Sequence, residues 1–337
     1  MKRVILFSLL CIAASFILPV LIAPQRLDGS AFSAPEATAE PSPTPSEEVG
    51  QAICDGDIRL NVLRDGKTES MTAAELLPGM ISGEMPASFE PEALKAQAVA
   101  LRSYILFLKS EGKPAHPDAD ICLDAACCCS YAGEDELRRR WGASYDAYAA
   151  KIAAAVSETD GQYLTYLGEP ALAVFHSSSE GQTEDGGNVF SSRPYLVSVT
   201  TPETPGEVKN LETRVEVTPD ELRRSVCLAC PDADFSGEPE SWVGSVERFS
   251  TGRVKCVEIG AREISGTAIR AMFSLRSTYF ELEYSNGAFV FSVRGYGHGV
   301  GMSQYGAELL AREGEGYAEI LAHYYPGTQL VRSFTSG

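Results

Sequence analysis

One stretch of the chain decides the fold around it, and it reads Gly83-Glu84-Met85-Pro86-Ala87-Ser88-Phe89-Glu90-Pro91-Glu92-Ala93-Leu94-Lys95-Ala96-Gln97-Ala98-Val99-Ala100-Leu101-Arg102-Ser103-Tyr104. Pro91 suits the first position of a helix, where a missing backbone N–H costs nothing. Apolar residues then recur at helical spacing, namely Ala93, Leu94, Ala98, Leu101, Ile105 and Leu108. Pro86 restricts the backbone two residues after Glu84. A surface loop before a core helix would share this pattern, but the restriction favours a turn that presents an acid.

Strand and helix patterns are interleaved on both sides of this stretch. Residues 58–63 alternate apolar and polar side chains, as in a strand, and Thr72 with Glu75 forms a capping-box pattern for a short helix toward Ile81. Asn286-Gly287 predicts a hairpin between two strand-like segments. Further helices are predicted at 134–157, 219–225, 303–312 and 317–324, and further strands at 163–167 and 171–175. Because no strict βαβ rhythm occurs, we predict an α+β fold, with mixed helices and antiparallel strands around a substrate cleft.

The first 50 residues differ in composition from the rest. Residues 4–23 follow Lys2 and Arg3 and contain no charge. At about 1.5 Å per residue they span a hydrocarbon core of about 30 Å, and a cleaved signal peptide fits less well because no small-x-small site ends the run. The sequence therefore predicts a transmembrane anchor (1–23), with a cytoplasmic N-terminus. A disordered tether rich in Pro, Ala, Ser and Glu (24–50) follows, and then an extracytoplasmic folded domain (51–337) on the cell membrane.

The bulk composition limits the classes of partner. The 337 residues are 44% hydrophobic, enough for a sizeable core. The formal net charge of -18 argues against nucleic acid, whose phosphates would be repelled. A ligand that is less anionic than nucleic acid can still bind an acidic protein, so the charge alone does not decide the partner.

Clustered cysteines predict either disulfides or a metal site. His116, Cys122 and Cys128 supply one imidazole and two thiolates at spacings that suit zinc, and Cys127 or Cys129 could compete as ligands. Outside the cytoplasm a disulfide is the ordinary alternative, and spacing alone does not decide between them. The pair Cys227-x-x-Cys230 indicates a local disulfide, or a pairing with Cys256; Cys54 stands alone.

Two loops carry polar groups that suit a sugar ligand. The first, His176 to Thr183, is dense in hydroxyl groups and follows a predicted strand. Serine hydrolase chemistry is set aside there, because His176 and Ser177 are adjacent and no G-x-S-x-G elbow occurs. The second runs from Gly295 to Gly306 and contains four glycines within seven residues, which permit close approach to the backbone. Either loop could instead be purely structural.

The chain resembles the stage II sporulation protein D family, in which a G-E-M-P turn precedes E-A-L-K-A-Q-A-V-A-x-R-[ST]-Y. The resemblance runs from Ile58 to Leu330. It includes further blocks in order, at Phe175–Thr183, Pro194–Val199, Ser265–Thr278, Gly295–Gly306 and Tyr324–Gly327. Where the family has a serine and two glycines, this chain has Ser179-Glu180-Gly181. Two extra cysteines also accompany the expected one at Cys128.

The resemblance implies a membrane-anchored lytic transglycosylase that cleaves peptidoglycan during sporulation engulfment. It makes Glu84 the catalytic acid and base, and His116, Cys122 and Cys128 the ligands of a structural zinc. It implies as partners glycan strands stripped of stem peptides, a membrane-bound amidase and a membrane scaffold of the engulfment complex. The expected substrate-binding residues are Lys95, Gln97, Arg102, Tyr104, His176, Ser177, Ser178, Ser179, Thr183, Tyr296, His298, Gln304 and Tyr305.

Two other functions fit the same blocks. A non-catalytic wall-binding protein that enhances an amidase would need the loops but no acid. A zinc hydrolase would use the metal for catalysis, but the chain has no H-E-x-x-H motif and its ligands are rich in thiolate, which favours a structural metal.

Overall fold

The computed structural model describes residues 53–112 and 116–332, which belong to the unit Val49–Gly337. The helices of this part are α1 (Ala73–Glu84), α2 (Pro91–Glu111), α3 (Glu134–Trp141), α4 (Tyr145–Glu158), α5 (Pro219–Ala229), α6 (Gly266–Met272), α7 (Gln304–Arg312) and α8 (Tyr317–Tyr324). The strands are β1 (Arg59–Arg64), β2 (Lys67–Thr72), β3 (Ile121–Cys122), β4 (Tyr163–Tyr166), β5 (Glu169–Pro170), β6 (Phe175–His176), β7 (Glu212–Val217), β8 (Val243–Arg248), β9 (Val254–Ile259), β10 (Arg262–Ser265), β11 (Phe280–Ser285), β12 (Ala288–Arg294), β13 (Met302–Ser303) and β14 (Gln329–Val331).

Helix α2 lies at the centre of the larger apolar core. Pro91 occupies its first turn, as predicted, and its apolar stripe is almost fully buried. The helices α1, α4, α7 and α8 pack against it, and so does β4. Because the surrounding helices cover α2 from several sides, even some of its polar side chains are removed from water.

A second apolar core lies between residues 217 and 293. It is built by the antiparallel sheets β11-β12-β7 and β10-β9-β8, with α5 and α6 packed beside them. The hairpin of β11 and β12 turns at Asn286-Gly287, where both residues have positive φ. The predicted hairpin is therefore confirmed.

The ladder between β6 and β13 connects distant parts of the chain. Phe175 pairs with Met302 and His176 with Ser303, in parallel. This places the two predicted ligand loops, 176–183 and 295–306, side by side. Ser178 and Tyr296 extend the contact as an isolated antiparallel bridge.

Most predicted elements form, but one helix ends later than predicted and two predictions are wrong. The capping box of Thr72 and Glu75 starts α1, which continues to Glu84 rather than ending near Ile81. The helix predicted at 134–157 is broken at Gly142, which has a φ of 53° that stops regular helix. The strand predicted at 171–175 is absent from the described structure except for Phe175, which begins β6.

The mixture of helices and mainly antiparallel strands agrees with the predicted α+β class. The predicted anchor and tether lie outside the described residues. Within the described residues, no helix combines the length and apolarity that a membrane span requires.

Candidate functional site

Glu84 is the last residue of α1 and is half-buried. Met85 follows in extended backbone, so the chain turns away from the helix directly after the carboxylate. One carboxylate oxygen, Oε1, accepts a hydrogen bond of 2.6 Å from the backbone N–H of Ser130. A half-buried acid held by a backbone donor has a fixed direction and still faces solvent.

The loop that supplies Ser130 is pressed against α1. A Cβ atom on Gly79 would lie 2.3 Å from the ring of Tyr131, and one on Gly83 would lie 2.9 Å from the Tyr131 nitrogen. The Ala132 N–H also donates to the Gly79 carbonyl at 3.0 Å. The two glycines of α1 therefore permit the close contact that places the Ser130 N–H against Glu84.

The same loop carries a cluster of metal-type donors. One donor atom from each of His116, Cys122, Cys127 and Cys128 lies within 4.8 Å of the others. The Nε2 atom of His116 is 3.3 Å from the Cys127 sulfur and 3.6 Å from the Cys128 sulfur. These are roughly the edge lengths of a tetrahedron with metal–ligand bonds of about 2.0–2.3 Å, so the donor set fits zinc. The structure adds Cys127 to the three predicted ligands.

Cys129 is not one of these four grouped donors. Its sulfur contacts the backbone oxygen of Cys122 at 3.6 Å, and the side chain is buried. Burial raises the pKa of the Cys122 thiol to about 12, and the neighbouring thiols of Cys128 and Cys127 add to the shift. A cation is what would favour the thiolate form there. Elsewhere in the described chain, Cys54, Cys227, Cys230 and Cys256 are thiols, without the disulfides that the sequence suggested.

The predicted substrate-binding residues on α2 have different surroundings. Lys95 is half-buried and its Nζ pairs with Glu92 and Glu158, at 2.7 and 2.6 Å. Burial raises the pKa of Tyr104, whose hydroxyl group donates to the Cys128 carbonyl at 3.2 Å. Tyr104 therefore braces the loop of metal-type donors.

Arg102 requires a correction. Its side chain is fully buried and its Nε and Nη2 donate to the two carboxylate oxygens of Asp55, at 2.5 and 2.7 Å. Gln97 is equally buried, and its Oε1 accepts from the Nε2 of Gln304 at 3.3 Å. These three predicted residues have no exposed surface for a glycan; they hold α2 to its neighbours.

The hydroxyl-rich loop also turns inward. His176 Nδ1 contacts the Val300 carbonyl at 3.1 Å, which can only accept, so Nδ1 carries the proton. His176 Nε2 must then accept from the Ser179 hydroxyl at 2.6 Å. That hydroxyl oxygen in turn accepts from Nη2 of Arg253 at 2.8 Å. Burial, with the positive charges nearby, holds the pKa of His176 well below its usual range.

His176 is thus hydrogen-bonded to Ser179. The sequence analysis had considered Ser177 as its partner and set that pair aside because the two residues are adjacent. His176 and Ser179 are both buried and Ser179 is held by a cation, so the pair lacks the access that a nucleophile needs. Ser178 and Thr183 are buried too, and Thr183 accepts from the Val199 N–H at 2.9 Å. The expected contacts of Ser178, Ser179, Thr183 and His176 with substrate are corrected accordingly: these side chains shape the loop.

The sequence analysis missed the buried charges below this loop. Glu203 Oε1 accepts from the Ser179 N–H at 2.8 Å, and its carboxylate also accepts from Ser303 and Thr201. Burial raises the pKa of this carboxyl, and those hydrogen bonds oppose the rise. Glu184 is also fully buried and accepts from Asn188 at 2.9 Å. No local motif marks these two glutamates, because part of each hydrogen-bond set comes from distant segments: Thr251 donates to Glu184, and Ser179 and Ser303 donate to Glu203.

Exposed aromatic residues surround the open end of the two loops. Phe190 is 53% exposed and packs edge-on against the ring of His298. Tyr296 is 45% exposed. Tyr305 meets Phe89 edge-on at 5.0 Å, which connects the Gly-rich loop to the segment after Glu84. Of the predicted loop residues, Tyr296, His298, Tyr305 and Ser177 retain exposed surface.

Comparisons with known proteins find relatives along almost the whole chain. A family model described as "Stage II sporulation protein" matches residues 64–166. Stage II sporulation protein D of Bacillus amyloliquefaciens is 32% identical over 97% of this chain and 95% of its own length. The protein of that name from Bacillus subtilis (strain 168) is also 32% identical, over 97% of this chain and 94% of its own. The amidase enhancer of Bacillus subtilis is 29% identical over 76% of this chain and 40% of its own length.

Proposed function

This chain belongs to the stage II sporulation protein D family, and from that premise we propose that it is a peptidoglycan lytic transglycosylase with Glu84 as its acid and base. The observation that carries the proposal is the half-buried Glu84 carboxylate, oriented by the Ser130 N–H. A fixed acid beside solvent is what proton transfer to a bound ligand requires.

The proposed reaction uses one carboxyl group twice. Protonated Glu84 donates its proton to the glycosidic oxygen after N-acetylmuramic acid, and the bond from that oxygen to C1 breaks. The resulting carboxylate takes the proton of the C6 hydroxyl group of the same sugar. The C6 oxygen then bonds to C1 and closes a 1,6-anhydro ring, while the departing sugar keeps a free hydroxyl group.

A hydrolase would need a second carboxylate to activate water. Glu184 and Glu203, which lie beneath the ligand loops, are buried and engaged in hydrogen bonds, so they are poorly placed to reach a water molecule on a substrate. Glu180, within the 176–183 loop, is half-buried and pairs with Arg294 at 3.7 Å. The proposed reaction needs only Glu84.

We further propose that zinc, held by His116, Cys122, Cys127 and Cys128, has a structural role. When bound, it would supply a fixed anchor for these four side chains and no catalytic step. Their loop continues directly into Ser130, so an ordered loop would keep the N–H donor against Glu84. These ligand residues would therefore influence catalysis only through the position of the Glu84 carboxyl group.

The test uses peptidoglycan treated with an amidase, and the products are analysed by mass spectrometry. We expect 1,6-anhydro products from the parent and at least a 100-fold loss of rate for Glu84→Gln. Glu90→Gln is the matched control, because Glu90 is an exposed acid six residues further along the chain. Products with ordinary reducing ends would indicate a hydrolase and contradict the proposal.

The alternative is a non-catalytic wall-binding protein that enhances an amidase, and the similarity to the amidase enhancer favours it as the second candidate. Glycan binding without any cleavage by the parent would establish this function instead.

The proposed setting is the outer side of the cell membrane, with residues 1–23 as a single-pass anchor. The proposed partners are glycan strands, a membrane-bound amidase that removes stem peptides, and the membrane scaffold of the engulfment complex. Loss of membrane association after deletion of residues 1–23 is the expected outcome in a fractionation experiment.

A further inference from the structure

A cationic pocket opens beside the Gly-rich loop. It has a volume of about 510 Å³ and is lined by Arg270, Arg276 and Tyr296, with Thr267, Ala271, Ser274 and Leu275 completing the wall. That volume is within the range of pockets that hold small ligands. The pocket lies at the end of α6 and at the edge of the second apolar core. We call it the arginine pocket.

Its two guanidinium groups have no anionic partner. Across residues 53–112 and 116–332, no carboxylate forms an ion pair with Arg270 or Arg276. Arg270 Nε donates only a long bond to the Leu275 carbonyl, at 3.4 Å. Arg276 donates to the Asn210 carbonyl at 3.2 Å and lies 4.2 Å from the centre of the Tyr296 ring. The chain has a net charge of -18, yet these two arginines of one pocket have no carboxylate partner and their N–H donors are available to an anion.

The environment of Arg270 strengthens this argument. The side chain is half-buried, and burial lowers its pKa although it remains a cation. A partly desolvated guanidinium group that lacks a counter-ion gains more from binding an anion than an exposed one does. The fork of N–H donors also matches the two oxygens of a carboxylate.

The arginine pocket is continuous with the ligand loops. Tyr296 and Ser178 exchange two backbone hydrogen bonds, at 2.8 and 3.1 Å. The next residue, Gly297, donates its N–H to the Arg276 carbonyl at 2.9 Å. A ligand that lies along the Gly-rich loop therefore reaches the two arginines, and the exposed Tyr296 ring offers a flat apolar surface at the entrance.

We propose that the arginine pocket binds the carboxylate of a muramic acid residue that has lost its stem peptide, with the sugar ring against Tyr296. Removal of the peptide exposes the lactyl carboxylate, whereas an attached peptide converts it into a neutral, bulky amide. The pocket would thus select stripped glycan. The inference rests on the proposed function only in taking wall glycan as the ligand.

The test measures binding by the full chain carrying Glu84→Gln, so that cleavage does not interfere. The ligands are peptide-free wall oligosaccharides and the same oligosaccharides after conversion of their carboxylates to methylamides. We expect about tenfold or tighter binding of the carboxylate form. Arg270→Gln and, separately, Arg276→Gln should reduce that preference to less than threefold.

Arg262→Gln is the control, because this exposed arginine has the same charge but lies on β10, where it pairs with Asp232. It should keep the full preference. Equal binding of the two oligosaccharides by the parent would overturn the inference, and so would a preference that survives both pocket substitutions. Tighter, Arg270-dependent binding of poly(glycerol phosphate) would assign the pocket to a phosphodiester and also overturn it.

These outcomes are separate from those of the cleavage assay. A carboxylate preference that depends on Arg270 would support the inference even if the parent yields no anhydro products. Anhydro products together with equal binding would support the transglycosylase and refute the arginine pocket.

Discussion

The molecule has two kinds of polar region, and they differ in access to water. The closed region comprises the Arg102–Asp55 pair and the network of His176, Ser179, Arg253 and Glu203, whose side chains are all buried. The open region comprises half-buried Glu84, the metal-type donors and the arginine pocket. Both regions contain residues from the blocks that resemble the family, yet only the open one can meet a ligand.

This difference separates residues that shape the site from residues that act in it. A buried polar group without its partner costs the free energy of its desolvation, so the closed region should respond to substitution through stability. The open region should respond through binding and rate. Each prediction below tests on which side of this division a residue falls.

The largest expected effect is in the closed region, for Asp55→Ala. Removal of the carboxylate leaves the Arg102 guanidinium buried without its ion partner. We expect the free energy of unfolding to fall by about 3–5 kcal/mol in urea titrations. Glu134→Ala, which breaks an exposed pair with Arg138, should leave the free energy of unfolding nearly unchanged, because solvent screens that pair. Unchanged stability with weaker glycan binding would place Arg102 in the open region.

The next effect concerns the metal ligands. Cys127→Ala should lower zinc affinity about 100-fold, because it removes one of four donors. Cys129→Ala should leave the affinity within about threefold, since its sulfur faces the Cys122 carbonyl. Competition with a chromophoric chelator measures both affinities. The opposite ranking would show that Cys129 is the ligand, and chelation that stops turnover without any loss of thermal stability would indicate a catalytic metal.

A smaller effect is expected for Ser179→Ala. The change removes the donor to His176 Nε2 and the acceptor for Arg253, and we expect a loss of about 2 kcal/mol in stability. Ser177→Ala is the matched control. Ser177 contributes its backbone carbonyl to Tyr305, so its hydroxyl group should be dispensable to within about 0.5 kcal/mol. A Ser179 variant of parental stability that loses all turnover would instead indicate a direct chemical role.

The smallest effect is a dependence of stability on pH. Burial, with the Arg270 charge, lowers the pKa of His298 from 6.5 to about 4. Between these values the unfolded state binds more protons, so stability is full above pH 6.5 and falls as the pH drops toward 4. Through His298 the free energy of unfolding should fall by about 2 kcal/mol over this range. This figure is smaller than the full pKa shift would give, because solvent screens the half-buried ring.

His298→Gln should remove this part of the dependence of stability on pH. Urea unfolding at pH 7.5 and 4.5 gives the change in the free energy of unfolding for the parent and for the variant. Subtracting one change from the other cancels the contributions of all groups that the two proteins share. Equal slopes for parent and His298→Gln would contradict the prediction.

Local patterns in the sequence predicted the elements that local physics controls. The capping box at Thr72, the proline start of α2 and the Asn286-Gly287 hairpin each depend on neighbouring residues, and each formed. The acid at the end of α1 and the cysteine cluster were also visible as short motifs. Their grouping in space was predictable because each lies within one short segment.

The closed network was not predictable from such patterns. Arg253 and Glu203 meet Ser179 across 74 and 24 residues of chain, and nothing near either one indicates a partner. Hydroxyl density in the 176–183 loop suggested a surface for sugars, but the composition of a loop does not tell which side chains face inward. Among the cysteines, Cys127 and Cys129 differ only in direction, which depends on how the loop folds.

The short ladder between β6 and β13 has a consequence for how the protein is made. It joins His176 to a segment 124 residues later, at Val300, and the second apolar core lies in between. Contacts this distant in sequence form slowly, whereas helices such as α2 form from local contacts. The ligand loops can therefore assume their final shape only after nearly the whole chain has emerged from the ribosome. The candidate site is therefore completed late in folding, when the second apolar core has already been synthesised.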